Sequence, residues 1–491
     1  MKYYIGADLG TSALKLLLIG EDGEIASSVS KSYDVIYPNP GWSEQKPEDW
    51  WDAFVLGVKE LIEGVDSESI HGIAVAGQMH GLVILDKDDN VIRPAILWND
   101  GRTAKETEYL NTKIGKKKLS KFTANIAFAG FTAPKILWVK NNEKENFDKI
   151  EKIMLPKDYI NYRLTGVHAC DYSDASGMLL LDVKNKKWSD KMLDICSVKK
   201  EQMPMLCESY DNIGTVKDDV AKELGLKAGV VVAGGGGDNA VAAIGTRTIG
   251  EGSCNISLGT SGTVFISSDK FSVPDKNSLH AFCHADGGYH LMGCMLSAAS
   301  CNKWFCEDIL NTNDYNAEQV DIKDEDLGAN DIFFLPYLMG ERSPLNDTDA
   351  RGMFIGMRPD TKRVDMVQAV LEGVAFAVRD NLEVAKSLGL DIKKSTLCGG
   401  GAKSPLWRKI LCNVLNIDLE IPTKEEGPGF GAAMLAMAAC GEEDVKSCST
   451  RLVKIAETVK PDAEIAERYN ERYEKFSKIY PAVKNLYKEI K

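Results

Sequence analysis

Short apolar runs broken by glycine-rich polar turns set the pattern of this chain. Tyr3 to Ala7 and Leu14 to Ile19 predict two strands around the turn Asp8-Leu9-Gly10-Thr11-Ser12. Gly20-Glu21-Asp22-Gly23 then turns the second strand into a third, a β-meander. Pro47 predicts the first residue of a helix whose apolar face is Trp50, Trp51, Phe54, Val55, Val58, Leu61 and Ile62, with Gly64 ending it. Ile73 to Ala76 and Leu82 to Leu85 read as strands flanking Gly77-Gln78-Met79-His80-Gly81, and Pro94 to Leu97 leads into Trp98-Asn99-Asp100-Gly101-Arg102. From about 105 to 152 the pattern is helical and lysine-rich, a solvated face with no interleaved aromatic platform. Val230 to Val232 predict a buried strand that the glycines of Ala233-Gly234-Gly235-Gly236-Gly237-Asp238-Asn239 end in a turn.

The second half repeats the theme. Asn255 to Phe265 reads strand, hydroxyl-rich turn, strand, and Leu-Gly-Thr-Ser occurs identically at 9–12 and 258–261, in the same context near the start of each half. An internal repeat is the expectation. Asp365 to Leu388 predicts a long helix ended by Gly389, followed by a short strand at Ser395 to Cys398, the turn Gly399-Gly400-Gly401-Ala402, and a helix capped by Ser404 with Pro405 at its first position. Gly427-Pro428-Gly429-Phe430-Gly431 starts a helix of small residues, and Ala463 to Lys491 reads as an amphipathic surface helix.

At 491 residues the chain is too long for one core and predicts two large domains. Its net charge of −13 gives no global electrostatic reason to bind nucleic acid or an anionic membrane, so neither is expected as a partner. Twelve cysteines without a Cys-x-x-Cys pair or zinc spacing predict reduced thiols, and with no long apolar segment at the start or elsewhere the expected location is cytoplasmic.

Candidate chemistry gathers at the turns. Asp238, after four glycines, either faces a ligand as a general base or caps the next helix. Asp8 with the Thr11 and Ser12 hydroxyls and loop amides can hold a hydrated Mg²⁺ and accept a phosphate nearby, with Lys15 adding charge, or it forms a hydrogen-bonded turn and nothing more. The second copy has Ser257 where the first has Asp8, so it offers a phosphate only hydroxyls and amides. Gln78 and His80 can hydrogen-bond hydroxyls, and Asp171-Tyr172-Ser173-Asp174 either lines a cleft or caps turns. The 399–402 turn suits a purine, its ribose and phosphates, or serves only close strand-to-helix packing. Neither Gly-x-x-x-x-Gly-Lys-Ser/Thr nor Gly-x-Gly-x-x-Gly is present. The arrangement fits phosphoryl transfer from a nucleotide held by two repeated halves.

Gly77-Gln78-Met79-His80-Gly81, Ile96-Leu97-Trp98-Asn99-Asp100-Gly101-Arg102-Thr103, Gly130-Phe131-Thr132-Ala133-Pro134-Lys135, Leu155-Pro156-Lys157-Asp158-Tyr159, Leu296-Ser297-Ala298-Ala299-Ser300 and Leu335-Pro336-Tyr337, in that order, resemble the FGGY carbohydrate kinase family of the actin-like ATPase-fold superfamily. The resemblance spans nearly the whole chain. It implies an α/β fold of two RNase H-like (actin/hexokinase-type) domains, 1–245 for sugar and 246–491 for nucleotide, with an interdomain cleft for ATP, Mg²⁺ and a pentulose. It implies Asp238 as catalytic base, Met79 and His80 as the sugar pair with Asn239 a further contact, and Asp8 as the acid of the first phosphate loop and the metal residue. Gly259 and Thr260 match the second phosphate loop and Gly400-Gly401 the adenosine segment. Gln78 and Asp100 are further sugar-side candidates; Thr11, Ser12, Lys15 and Ser404 are nucleotide-side candidates. The family also suggests a homodimer. The alternatives are a kinase for another ketopentose or a polyol and, in a different class, an actin-like switch ATPase.

Overall fold

The computed structural model describes residues 1–424 and 426–490. The chain forms two compact units. The first comprises Met1–Ile249, Ala281–His290 and Glu426–Val453; the second comprises Gly250–His280, Leu291–Glu425 and Lys454–Lys491. Among the described residues no helix is long and apolar enough to cross a membrane.

In the first unit the expected meander is β1 (Tyr3–Leu9), β2 (Ala13–Gly20) and β3 (Ile25–Ser32), joined by antiparallel pairing. With β4 (Ile70–Gly77), β5 (Asn212–Thr215) and β6 (Val231–Ala233) they form a sheet in the order β5-β6-β4-β1-β2-β3, and β7 (Gly236–Gly237) also pairs with β4. The pairs β1/β4 and β4/β6 are parallel, whereas β5/β6 is antiparallel.

Alternation along β1 divides its side chains between two layers. Ile5, Ala7 and Leu9 enter a core with Trp50, Phe54, Val58 and Leu61 of helix α1 (Pro47–Leu61). Pro47 stands in the first turn of α1 with Glu48 and Asp49, and Lys59 in the last, as the helix dipole favours. Tyr4, Gly6 and Asp8 alternate to the other face, where the helix Gly427–Ala439 lies against β1. A Cβ on Gly6 would stand 1.9 Å from the Gly429 carbonyl oxygen, so backbone meets backbone there.

The second unit repeats this plan. Strands β8 (Cys254–Leu258), β9 (Gly262–Ser268), β10 (Lys394–Cys398), β11 (Asp418–Pro422) and β12 (Ile455–Val459) run in the order β9-β8-β10-β11-β12. Their pairings are antiparallel, parallel, parallel and antiparallel. The strands β2-β1-β4-β6-β5 of the first unit follow the same sequence of directions, although the chain forms the outer β5 before β6 there and the outer β12 after β11 here; the four-residue match at 9–12 and 258–261 sits at the same hairpin of the two sheets.

Two expectations need correction. The strand ends at Ala233 as expected, but the glycine run is not a terminating turn: after Gly234 and Gly235 the chain rejoins β4 as β7. The final helix is also not one surface helix. It runs Ala463–Val483 with Pro481 inside its last turn, which leaves one ladder bond unmade, and Leu486–Glu489 forms a separate turn of helix. Lys491 lies outside the described residues. The face of Ala463–Val483 is partly core: Tyr469, Arg472 and Phe476 are buried, with Arg472 and the Tyr469 hydroxyl bonded to Glu372 at 3.0 and 2.9 Å.

Candidate active site

Three strand ends of the first unit finish at one level. Leu9 of β1 pairs with Gly77 of β4, and Gly77 with Gly237 of β7. Asp8 sits one residue before that level, and Gln78 and Asp238 one residue after it; the strands of Asp8 and Asp238 are two spacings, about 10 Å, apart. Val232 pairs with Ile73 and Gly236 with Ala76, so Ala233, Gly234 and Gly235 lie opposite only Ala74 and Val75. This is a β-bulge, and it re-aims the chain just before Asp238. Gly235 adopts φ 68°, and a Cβ there would meet the Val75 carbonyl oxygen at 2.1 Å, so the bulge requires glycine.

Asp238 is the first residue of the helix Asp238–Gly245, after Gly237 at the N-cap. Both the backbone N–H and the Nδ2 of Asn239 donate to Asp238 Oδ1, at 2.7 and 2.9 Å. Burial, reinforced by the charge of Asp8, raises the Asp238 carboxyl to about 7. Burial raises Asp8 itself to about 6, opposed by Lys15, its register partner on β2. Two carboxyls with elevated pKa values, at strand ends on either side of β4, form the electrostatic centre of this unit.

The remaining first-unit candidates fall into three settings. Met79 is buried against Gly237, and His80, at φ 71°, rests against Phe131 with ring centroids 4.7 Å apart. His80 Nδ1 lies 2.8 Å from the Gly177 carbonyl, which only accepts, so Nδ1 carries a proton and the ring is oriented by that bond. Gln78 is buried in a network with Gln45 and Thr11, and Thr11 accepts from Trp98 Nε1 at 2.9 Å. Ser12 is exposed, and Lys15 pairs with Glu426. Asp100 is buried; its oxygens accept from the Arg102 guanidinium at 2.9 and 2.7 Å, and from the Ser43 N–H. The geometry makes Asp100 an ion-pair anchor, with Arg102 stacked 3.9 Å over the Trp42 ring.

Two buried lysines not singled out as site residues, together with the acids of 171–174, hold this arrangement. Lys135 donates to the carbonyls of His80 and Gly130 at 2.8 and 2.6 Å, fixing the strained turn at His80, and burial drives its pKa well below the ordinary lysine value. Lys157 contacts Asp158 and Asp171 at 2.6 and 3.0 Å and the Gly234 carbonyl at 3.3 Å. Burial opposes its charge, but the surrounding acidic groups, Asp158 and Asp171 foremost, raise its pKa and hold it protonated. Asp171 caps the short helix Tyr172–Ala175, and Ser173 Oγ accepts from the Gly237 N–H at 3.2 Å, which ties the bulge down. Asp174 is fully buried with neither carboxyl oxygen hydrogen-bonded among the described residues, and burial raises its pKa strongly. The signal available in the sequence was the pair of segments 155–159 and 171–177. No spacing rule joins them.

The second unit offers a different site. The turn Gly259-Thr260-Ser261 follows β8, and the carbonyls of Thr260 and Gly259 accept from the N–H groups of Ala298 and Ala299. Gly399 takes φ 90°, and a Cβ there would meet the Leu258 backbone at 2.7 Å, so the position requires glycine, whereas Gly400 faces open space. Ser404 caps the helix Pro405–Leu415 by accepting from Trp407 N–H at 3.2 Å, and it donates to Gln319 Oε1 at 2.7 Å. Gly259, Thr260, Gly400, Gly401 and Ser404 line one cavity of about 650 Å³. That volume suits a nucleoside and its phosphates.

Models of the FGGY family of carbohydrate kinases match the chain over residues 3–245 (N-terminal domain) and 254–440 (C-terminal domain). A xylulose kinase of Escherichia coli K12 is 40% identical over 479 residues, covering 97% of this chain and 98% of its own. A crystal structure of a xyloylose kinase from Brucella ovis superposes with a TM-score of 0.94 at 39% identity over 99% of this chain and 100% of its own. The crystal structure of gluconate kinase from Lactobacillus acidophilus gives 0.92 at 27% identity, with all of both chains covered.

Proposed function

Because the chain belongs to the FGGY family of carbohydrate kinases, we propose that it transfers the γ-phosphoryl group of ATP to the 5-hydroxyl of D-xylulose, giving D-xylulose 5-phosphate. The observation that carries the reaction is Asp238, a carboxyl raised to about 7 and set by a bulge beside the His80 loop. Both Asn239 donors go to Oδ1, which leaves Oδ2 to take the sugar hydroxyl proton as the bond to phosphorus forms. A base near neutrality is ionised often enough to act and basic enough to pull. Met79, His80, Gln78 and Asn239 orient the sugar, and the Lys135 bonds hold His80 in place. In the second unit Gly259, Thr260, Gly400, Gly401 and Ser404 hold the nucleotide.

Asp8 fits a Mg²⁺ ion bound partly through water and phosphate: it is a half-buried carboxyl at a hydroxyl-rich turn, and among the described residues no cluster of three His, Cys, Asp or Glu competes for a metal. Bound Mg²⁺ would neutralise phosphate charge there, with Thr11, Ser12 and Lys15 beside it. The reading carries with it a sugar-binding 1–245, a nucleotide-binding 246–491, a cytoplasmic location and a homodimer.

The choice of D-xylulose rests on the xylulose kinase names of the relatives. The gluconate kinase neighbour favours a second reading, a kinase for another polyol or an aldonate. ADP formation with Mg-ATP against D-xylulose, D- and L-ribulose, glycerol, gluconate and xylitol separates them. D-xylulose should dominate by kcat/KM; dominance of gluconate would transfer the reading to that substrate, and no stimulation by any sugar would favour a switch ATPase.

A further inference from the structure

Residues 171–177 reach both the base and the sugar side of the first-unit site from one short stretch of chain. Near its start Ser173 Oγ accepts from the N–H of Gly237, the residue before Asp238, at 3.2 Å. Four residues on, the Gly177 carbonyl accepts from His80 Nδ1 at 2.8 Å, and a Cβ on Gly177 would stand 2.4 Å from that nitrogen. Met79 packs against both glycines: a Cβ on Gly177 or on Gly237 would lie 3.0 Å from its Cε. The stretch is the short helix Tyr172–Ala175 followed by a 3₁₀ turn, Ser176–Met178. Ser176 Oγ ties it internally by donating to the Tyr172 carbonyl at 2.7 Å, and externally by accepting from the Cys283 N–H at 2.9 Å.

Asp171 fixes the stretch in place. It is fully buried; its Oδ1 faces Lys157 Nζ at 3.0 Å, and its Oδ2 accepts from the Ser173 N–H at 2.8 Å, the Ser173 hydroxyl at 2.5 Å and the Ser209 hydroxyl at 2.8 Å. A buried carboxylate met by donors at both oxygens has one orientation, and it passes that orientation to Ser173. The Ser173 hydroxyl has a single proton, which goes to Asp171, so toward Gly237 the oxygen only accepts.

We propose that Ser173 is a positioning residue for phosphoryl transfer: itself fully buried, it acts through Gly237 to hold Asp238 in register with His80. The proposal rests on the reading of Asp238 as the base. Lys157 anchors the brace, Asp171 aims it, and the Gly177 carbonyl gives the His80 ring the same frame of reference.

The test is a kinetic cycle on the full chain with Mg-ATP and D-xylulose, comparing wild type, Ser173→Ala, Asp238→Asn and the double variant. Ser209→Ala serves as control, because it deletes a hydroxyl donor from the same Asp171 oxygen and leaves Gly237 its acceptor. Ser173→Ala should lower kcat about 30-fold with KM for the sugar within about twofold, since His80 keeps its bond to Gly177. In the Asp238→Asn background the same change should cost less than about twofold, because an absent base cannot be misplaced. Ser209→Ala should lose as much Tm as Ser173→Ala while kcat stays within about twofold. Ser173→Cys keeps the size with a weaker acceptor, so it should lower kcat about threefold and carries the test if Ser173→Ala does not fold. Unchanged kcat in both Ser173 variants, equal losses in the two backgrounds, or a kcat loss in Ser209→Ala that matches Ser173→Ala would each overturn the role while leaving the base reading intact. Wild-type kcat in Asp238→Asn would overturn the base reading itself, and this role with it.

Discussion

The two units carry one plan and use it differently. In each, a hairpin around Leu-Gly-Thr-Ser leads, and the next parallel strand ends in glycines: Gly77 to Gly81 after β4, Gly399 to Gly401 after β10. In both places the first glycine meets a neighbour that leaves no room for a Cβ: Lys157 Cβ at 2.7 Å for Gly77, the Leu258 backbone at 2.7 Å for Gly399. The chemistry then diverges. The first strand end continues into Gln78, Met79 and His80 beside two carboxyls of raised pKa; the second continues into a bare turn, open at Gly400, on a cavity of nucleoside size. At the hairpins, Asp8 pairs in register with Lys15, and Ser257 with Thr263. Duplication supplied backbone amides twice; charge was placed once.

That asymmetry can be broken by substitution. The largest effect belongs to Asp238→Asn, which should lower kcat by about 10³-fold with ATP affinity unchanged, read by initial rates and by nucleotide binding. Next is Gly6→Ala: with the Gly429 carbonyl oxygen 1.9 Å from the new methyl, urea unfolding should report a loss of about 3 kcal/mol, whereas Gly400→Ala, facing open space, should stay within about 0.5 kcal/mol. At the hairpins, Asp8→Ala should lower kcat by about 10²-fold and raise the Mg²⁺ requirement, and the equivalent Ser257→Ala should change either by less than about threefold. Equal losses at Asp8 and Ser257 would erase the distinction between the hairpins. A smaller effect is on stability against pH. A carboxyl raised to about 7 binds its proton more tightly in the folded chain, so stability falls as pH rises from about 4 to about 7. Asp238→Asn should therefore melt above wild type at pH 8, and the gap should close below pH 4.

Much of this frame is legible in the sequence because it is local. The meander, α1 with its N1 proline, the Ser404 cap and the Leu-Gly-Thr-Ser repeat follow from neighbouring residues, and the structure returns them. The glycine run reads as a terminating turn because four glycines carry no hydrophobic signal; only pairing of Gly236 with Ala76, 160 positions away in sequence, makes it a bulge. Lys135 and Lys157 are invisible for a related reason. A lysine is ordinarily exposed, and its burial depends on acceptors supplied by His80, Asp171 and Gly234, which no period or spacing brings together. The final helix reads as an amphipathic surface helix, but its pattern does not assign Arg472 to the buried face, because arginine looks like a solvent residue until Glu372, on another helix, meets it.

The most direct test of the central claim, that Asp238 takes the proton from the acceptor hydroxyl, is the pH dependence of D-xylulose-stimulated ADP formation in wild type and Asp238→Asn. The expected wild-type kcat/KM falls about tenfold per pH unit once pH drops below a single ionisation near 7, while Asp238→Asn keeps a small residual rate that is flat across that range. A variant that retains the wild-type rate, or the same ionisation in its profile, would contradict the assignment and move the base elsewhere.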